Sequence, residues 1–79
     1  MQIKILGTGC AKCMLLERNV KAVIETHQLQ DIFLEKVTDF EEILNYNILT
    51  TPGLVVDGET KSSGGIPSNQ QILSWLKND

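Results

Sequence analysis

Hydrophobic and polar residues follow two spacings along this chain, one typical of strands and one typical of helices. A short β-prone run over residues 3–6 ends at Gly7 and Gly9, because glycine interrupts strands. Further on, apolar residues recur every three or four positions, which predicts an amphipathic helix over residues 11–27. The apolar stripe of this helix comprises Cys13, Leu16, Val20, Val23 and Ile24, and the charged residues Glu17, Arg18 and Lys21 lie largely off it.

Three more strands are predicted further along the chain. The segment "DIFLEKV" has strand character, with apolar residues at Ile32, Leu34 and Val37. The segment "GLVVDGETKSS" has the pattern of a hairpin, with an apolar strand over residues 54–56 and a polar strand over residues 60–63. Asp57 and Gly58 between them suit a two-residue turn that needs positive φ angles. The polar strand is therefore expected at an exposed edge of the sheet.

Two further helices are predicted from their capping signals. In "TDFEEILNYN", Thr38 or Asp39 can cap a helix, with a glutamate three residues on, and Asn47 can end it in the left-handed conformation. In "PSNQQILSWL", Ser68 and Gln71 form a capping box. The residues expected on the buried side of the second helix are Phe40, Ile43 and Leu44. The apolar residues of the third helix are Ile72, Leu73, Trp75 and Leu76, and Trp75 is expected in the core.

The predicted order is therefore strand, helix, strand, helix, strand, strand, helix. Strands separated by a helix are expected to be parallel with a right-handed crossover, and the hairpin must be antiparallel. This pattern predicts an α/β protein with a four-stranded mixed sheet and three flanking helices. With 79 residues, the chain is expected to form a single domain over residues 1–79.

Composition narrows the classes of function. Hydrophobic residues make up 42% of the chain and charged residues 22%, as in an ordinary globular domain. The net charge is −3 and the seven Lys and Arg residues are scattered, which argues against a nucleic-acid partner. No run is long enough for a signal peptide or a membrane span. We therefore expect a cytoplasmic, monomeric protein without a membrane partner, in a compartment that keeps thiols reduced.

The segment "GTGCAKC" carries the candidate chemistry. Cys10 and Cys13 are three residues apart at the start of the first predicted helix. Backbone N–H groups and the positive end of the helix dipole favour a thiolate there, and Lys12 adds a nearby positive charge. Cys10 is expected to be the exposed nucleophile, with Gly7 and Gly9 leaving its approach uncrowded. Cys13, on the apolar stripe, is expected to be shielded and to act as the resolving thiol.

The chain resembles the small glutaredoxin-like thioredoxins of bacteria and archaea. Three motifs carry the resemblance over the whole length, in order and spacing: "GTGCAKC", "TPGLVVDG" and "GGIPS". The resemblance implies a minimal thioredoxin fold, βαβαββα, and a redox-active disulfide Cys10–Cys13 that needs no other cofactor and no metal. It also implies protein disulfides as substrates and a thioredoxin-reductase-like protein as the electron donor.

The resemblance also implies further site residues. Members of this fold have a cis-proline facing the disulfide, which points to a cis Thr51–Pro52 bond. The Thr51 backbone would then pair with a bound polypeptide like an added strand. Gly9, Ala11 and Lys12 are the expected supporting residues beside the cysteines. The first strand carries Lys4 and no carboxylate, so the sequence indicates no buried acid that could take the proton of the resolving cysteine.

Two other functions use the same cysteine pair or the same fold. A heavy-metal-associated domain also has C-x-x-C after its first strand, and two thiolates can carry a soft ion such as Cu(I). That family usually has methionine two residues before the first cysteine, where this chain has Thr8, and it has two consecutive strands after the first helix. A redox-silent binding module is the third possibility. The sequence favours a thiol–disulfide oxidoreductase.

Overall fold

The predicted strands and helices all form, in the predicted order. The computed structural model describes residues 1–7, 9, 11–48 and 50–77. Its elements are β1 (Gln2–Leu6), α1 (Ala11–Thr26), β2 (Phe33–Val37), α2 (Phe40–Leu44), β3 (Gly53–Val56), β4 (Glu59–Ser63) and α3 (Asn69–Lys77). The strands form one mixed sheet in the order β2-β1-β3-β4. The predicted α/β class, with four strands and three helices, is confirmed, and the architecture is that of a minimal thioredoxin fold.

Strand direction departs from the prediction at β3. β1 and β2 are parallel as predicted, but β3 runs antiparallel to β1, with Leu6 paired to Gly53. The expectation that β2 and β3 are parallel is therefore wrong. The reason is the length of α2, since five residues rise only about 8 Å and do not return the chain along a strand. The chain stays at the C-terminal end of β1 and starts β3 from there.

The hydrophobic core has two parts, one on each face of the sheet. α1 and α3 cover the larger part, which consists of Ile3, Ile5, Leu16, Val20, Val23, Leu54, Val56, Ile72 and Leu76. The smaller part lies under α2 and consists of Leu6, Val37, Ile43, Ile48 and Val55, with Tyr46 packed against it. The first cluster includes most of the predicted stripe of α1, and it fixes that helix against the sheet.

The short α2 buries less than predicted. Ile43 is buried, but Phe40 is 64% exposed and Leu44 is 48% exposed, so the expectation that all three are buried is wrong. A helix of this length presents a single position to the sheet. Asp39 caps it, accepting a hydrogen bond from the Glu41 N–H. Asn47 has the predicted positive φ of 59°, although the helix already ends at Leu44.

The remaining local signals form as predicted. Asp57 and Gly58 have φ angles of 50° and 82° and join β3 to β4, which lies at the edge of the sheet. At the start of α3, the Gln71 N–H donates to Ser68 Oγ, and the Ser68 N–H donates to Gln71 Oε1. This is the reciprocal capping box that the sequence predicts.

Candidate functional site

The candidate site lies at the C-terminal end of β1. Because Leu6 pairs with Gly53 in an antiparallel ladder, Gly7 and Pro52 are neighbours at the ends of adjacent strands. The Gly7 N–H also donates to the Val37 carbonyl over 2.9 Å, which ties this end of β1 to the end of β2. The ends of β1 and β2 and the start of β3 therefore lie side by side, at the end of the sheet from which the chain enters α1.

Cys13 lies in the first turn of α1 and is buried, with 5% of its surface exposed. It lies on the same side of the helix as Leu16 and Val20, and the prediction that it is shielded from solvent is confirmed. Gly7 is directly against it, because a Cβ at position 7 would fall on the Cys13 sulfur. The sequence predicts that Gly7 opens the approach to Cys10, whereas in the structure it makes room for Cys13.

Cys10 lies outside the described residues. Its predicted exposure, its lowered pKa and its role as nucleophile therefore stay predictions. The structure describes its neighbours in the chain, and α1 begins at the next residue, Ala11. Ala11, Lys12 and Gly9 are all exposed, and Gly9 has a φ of 90°, a conformation that favours glycine.

The Thr51–Pro52 peptide bond is cis. Pro52 is buried, and its carbonyl accepts a hydrogen bond of 2.8 Å from the Gly64 N–H. Gly64 has a φ of 82°, and a Cβ at this position would meet the Thr50 hydroxyl. The segment before β3 is therefore held against the segment after β4. Thr51, between Thr50 and Pro52, is half-buried.

A small cavity of about 50 Å³ adjoins the buried cysteine. Its walls come from β1, α1 and β2 and the residues that follow the two strands. They are Ile5, Gly7, Gly9, Cys13, Met14, Glu17, Lys36 and Thr38. The cavity is therefore lined by the buried cysteine, one acidic residue and one basic residue at one end of the sheet.

Glu17 is the acidic residue of this cavity, and only 17% of its side chain is exposed. Its carboxylate forms ion pairs with Lys21 Nζ at 3.1 Å and with Lys36 Nζ at 3.6 Å. The hydrogen bond from Lys21, together with the charges of both lysines, lowers the pKa of Glu17 below its ordinary value. At neutral pH Glu17 is therefore a carboxylate.

Glu17 and Lys36 belong to the site although the sequence does not indicate either of them. Glu17 counts as a solvent-facing charge on the predicted helix, yet it follows Cys13 by four residues and so lies on the same side of α1. Lys36 pairs with Ile5, whose side chain lies in the core under α1. That pairing directs Lys36 toward the helix, and it depends on the strand register, which the sequence alone does not supply.

Two kinds of feature are absent from the described residues. Across 1–7, 9, 11–48 and 50–77, no three His, Cys, Asp or Glu side chains form a group that could hold a metal ion. In the same part of the chain, no helix has both the length and the apolar character to cross a membrane.

A buried thiol in the first turn of α1, at the end of a parallel β1–α1–β2 unit and close to a cis-proline, is typical of thioredoxin-fold proteins. The chain matches the thioredoxin domain family over residues 1–77 and belongs to that family. It is 39% identical over 76 residues to a thioredoxin of Methanothermobacter thermautotrophicus, covering 96% of this chain and 97% of that protein.

A second relative is a thioredoxin of Methanocaldococcus jannaschii. It is 40% identical over 75 residues, which are 95% of this chain and 85% of the relative. Both comparisons extend over nearly the whole chain, so they concern the entire fold and not one motif. Membership of this family supports a thioredoxin-like redox function.

Proposed function

We propose that this protein is a thiol–disulfide oxidoreductase that reduces protein disulfides through Cys10 and Cys13. The observation that supports this most directly is the position of Cys13. It is a cysteine buried against Gly7, in the first turn of a helix and three residues after a second cysteine. A sulfur in this position is poorly accessible to a large substrate, which suits a resolving cysteine.

The reaction proceeds in two exchanges. The Cys10 thiolate attacks one sulfur of a target disulfide, forms a mixed disulfide and releases the first target sulfur as a thiolate. Cys13 then loses its proton and attacks the Cys10 sulfur. The mixed disulfide breaks, the second target thiolate leaves, and both target thiolates take up protons. The target gains two electrons, and the protein is left with a Cys10–Cys13 disulfide.

The partners follow from the same proposal. A protein substrate would lie across the end of the sheet, with its backbone beside Thr51 and Pro52, and Gly9, Ala11 and Lys12 on the exposed side of the site. A thioredoxin-reductase-like protein would return the electrons. We propose that the protein works as a monomer in the cytoplasm, where a reducing environment maintains the dithiol form.

Trapping of mixed disulfides tests the proposal. Cys13→Ser removes the resolving thiol, so it should hold target proteins on Cys10 as covalent complexes that reducing agents release. Cys10→Ser, the matched control, should trap few targets. Both variants should lose dithiothreitol-coupled reduction of insulin disulfides. Wild-type protein that reduces no insulin, together with a Cys13→Ser variant that traps no protein, would exclude the proposed activity.

The same variants test the Cu(I)-carrier alternative. A carrier would bind Cu(I) tightly when reduced, would lose binding with either cysteine variant, and would trap nothing. The element order favours the oxidoreductase, because α2 lies between β2 and β3, where heavy-metal-associated domains have two consecutive strands.

A further inference from the structure

The burial of Cys13 raises the question of where its proton goes. In the second exchange the attacking species is the thiolate, so the thiol must first lose a proton. Only 5% of Cys13 is exposed, which limits direct transfer to solvent. The proton therefore needs an acceptor within the protein or at the wall of the adjoining cavity.

The cavity beside Cys13 offers one acceptor. Of the residues that line it, Glu17 and Lys36 carry charge, one from α1 and one from β2. β1 contributes Ile5 and, after its end, Gly7, neither of which is ionisable. Cys10 is part of the mixed disulfide at this step and carries no charge. Glu17 is the group of this set that can accept a proton at neutral pH.

We propose that Glu17 is the proton acceptor for Cys13 in the resolving step. This inference rests on the proposed function. Glu17 follows Cys13 by one helical turn and lines the same cavity, and Lys36 holds its carboxylate from the strand side at 3.6 Å. The cavity volume of about 50 Å³ is sufficient for one water molecule. The proton can therefore pass directly or through a bridging water.

The proton balance of the step closes without another reactant. The Cys13 thiol gives its proton to the Glu17 carboxylate as its sulfur bonds to Cys10. The Cys10–target bond breaks, and its electron pair leaves with the target sulfur. The target thiolate then takes up a proton from solvent, and Glu17 returns its own proton to solvent. Glu17 is a carboxylate before and after each turnover.

The lysines around Glu17 fit this role. They keep Glu17 ionised at neutral pH, so the acceptor is available at every turnover. They also make the protonated form short-lived, because its acidity drives the proton on to solvent. The best general bases have a pKa close to the working pH, whereas the pKa of Glu17 is lowered. We therefore expect Glu17 to accelerate the resolving step by less than the usual factor for general-base catalysis.

The resolving step can be observed directly with 5,5′-dithiobis(2-nitrobenzoate), a disulfide with coloured thiolate products. Attack by Cys10 on the reduced protein releases one coloured thiolate, and attack by Cys13 releases the second. Glu17→Gln should slow the second release about tenfold at pH 6.5 and leave the first unchanged. The difference should shrink as the pH rises, because hydroxide then removes the thiol proton without help from Glu17.

Two further variants separate proton transfer from other effects of the substitution. Glu25→Gln removes the same charge from an exposed position of the same helix and should leave both releases unchanged. Glu17→Asp keeps a carboxylate and should restore most of the second rate. If Glu17 acted only through its negative charge, Glu17→Gln would have the opposite effect. Loss of that charge would lower the pKa of Cys13 and accelerate the second release.

The outcomes distinguish this inference from the proposed function. If wild-type protein releases only one coloured thiolate, the two-cysteine mechanism fails, and the role of Glu17 fails with it. If wild type releases two and Glu17→Gln matches or exceeds its second rate at pH 6.5, the oxidoreductase stands and Glu17 is not the acceptor. If Glu25→Gln slowed the second release as much as Glu17→Gln does, Glu17 would not be the proton acceptor. The slowing would then come from the change in net charge.

Discussion

Gly7 and Cys13 touch so closely that position 7 has no space for a side chain. A Cβ built at Gly7 falls on the Cys13 sulfur and within 3.1 Å of the Cys13 Cβ. The contact joins the end of β1 to the first turn of α1. It thereby sets the position of the buried thiol relative to the sheet.

Gly7→Ala should therefore destabilise the protein. The added methyl group must displace the Cys13 sulfur or the helix that carries it, and overpacking of this kind costs about 1–3 kcal/mol. Urea unfolding gives the free energy of unfolding. Gly65→Ala is the matched control, because a Cβ there meets no atom within 4 Å, and it should change stability little. Equal effects of the two substitutions would contradict the contact.

The two adjacent leucines of α1 should respond differently to truncation. Leu16 is fully buried in the core under α1, whereas Leu15 is 42% exposed. Leu16→Ala removes buried contacts and leaves a cavity, which should lower the free energy of unfolding by about 2–5 kcal/mol. Leu15→Ala should change it by about 0.5 kcal/mol or less. Comparable losses in the urea midpoint would mean that α1 is rotated relative to the orientation described above.

Glu17 should make stability depend on pH in the acid range. Its pKa is lowered in the folded protein, so its ion pairs stabilise the fold above the unfolded pKa. This contribution is lost as the pH falls through the folded pKa, which lies below the ordinary value for a glutamate. The difference in unfolding free energy between wild type and Glu17→Gln should therefore be larger at pH 7 than at pH 3. A difference that grows toward pH 3 would mean that the folded pKa is raised.

Much of the fold can be predicted because its signals are local. The stripe through Leu16 and Val20 predicts α1, and the Asp57–Gly58 pair predicts the hairpin, since each depends on neighbouring residues. The direction of β3 follows from the early end of α2 at Leu44, and the contact between Gly7 and Cys13 follows from the way α1 packs on β1. Neither can be read from the apolar spacing or the capping signals.

The charged residues of the site could not be predicted from local sequence signals either. Glu17 and Lys36 come together because β1 and β2 pair in one register, with Ile5 opposite Lys36. A shift of one residue in β2 would send Lys36 to the other face of the sheet. The cysteine pair itself needs no such information, since its spacing and its position before a helix can be read directly.

Cys13 can also report how often α1 separates from the sheet. Its sulfur lies against Gly7 after β1, and the adjoining cavity is lined by Lys36 and Thr38 around the end of β2 and by α1 itself. β3, with Pro52 before it, holds β1 from the other side. An opening that admits an alkylating reagent must at least separate the first turn of α1 from Gly7. In a Cys10→Ser background, the labelling rate of Cys13 would therefore measure the opening of α1 from the sheet without denaturant or an added fluorophore.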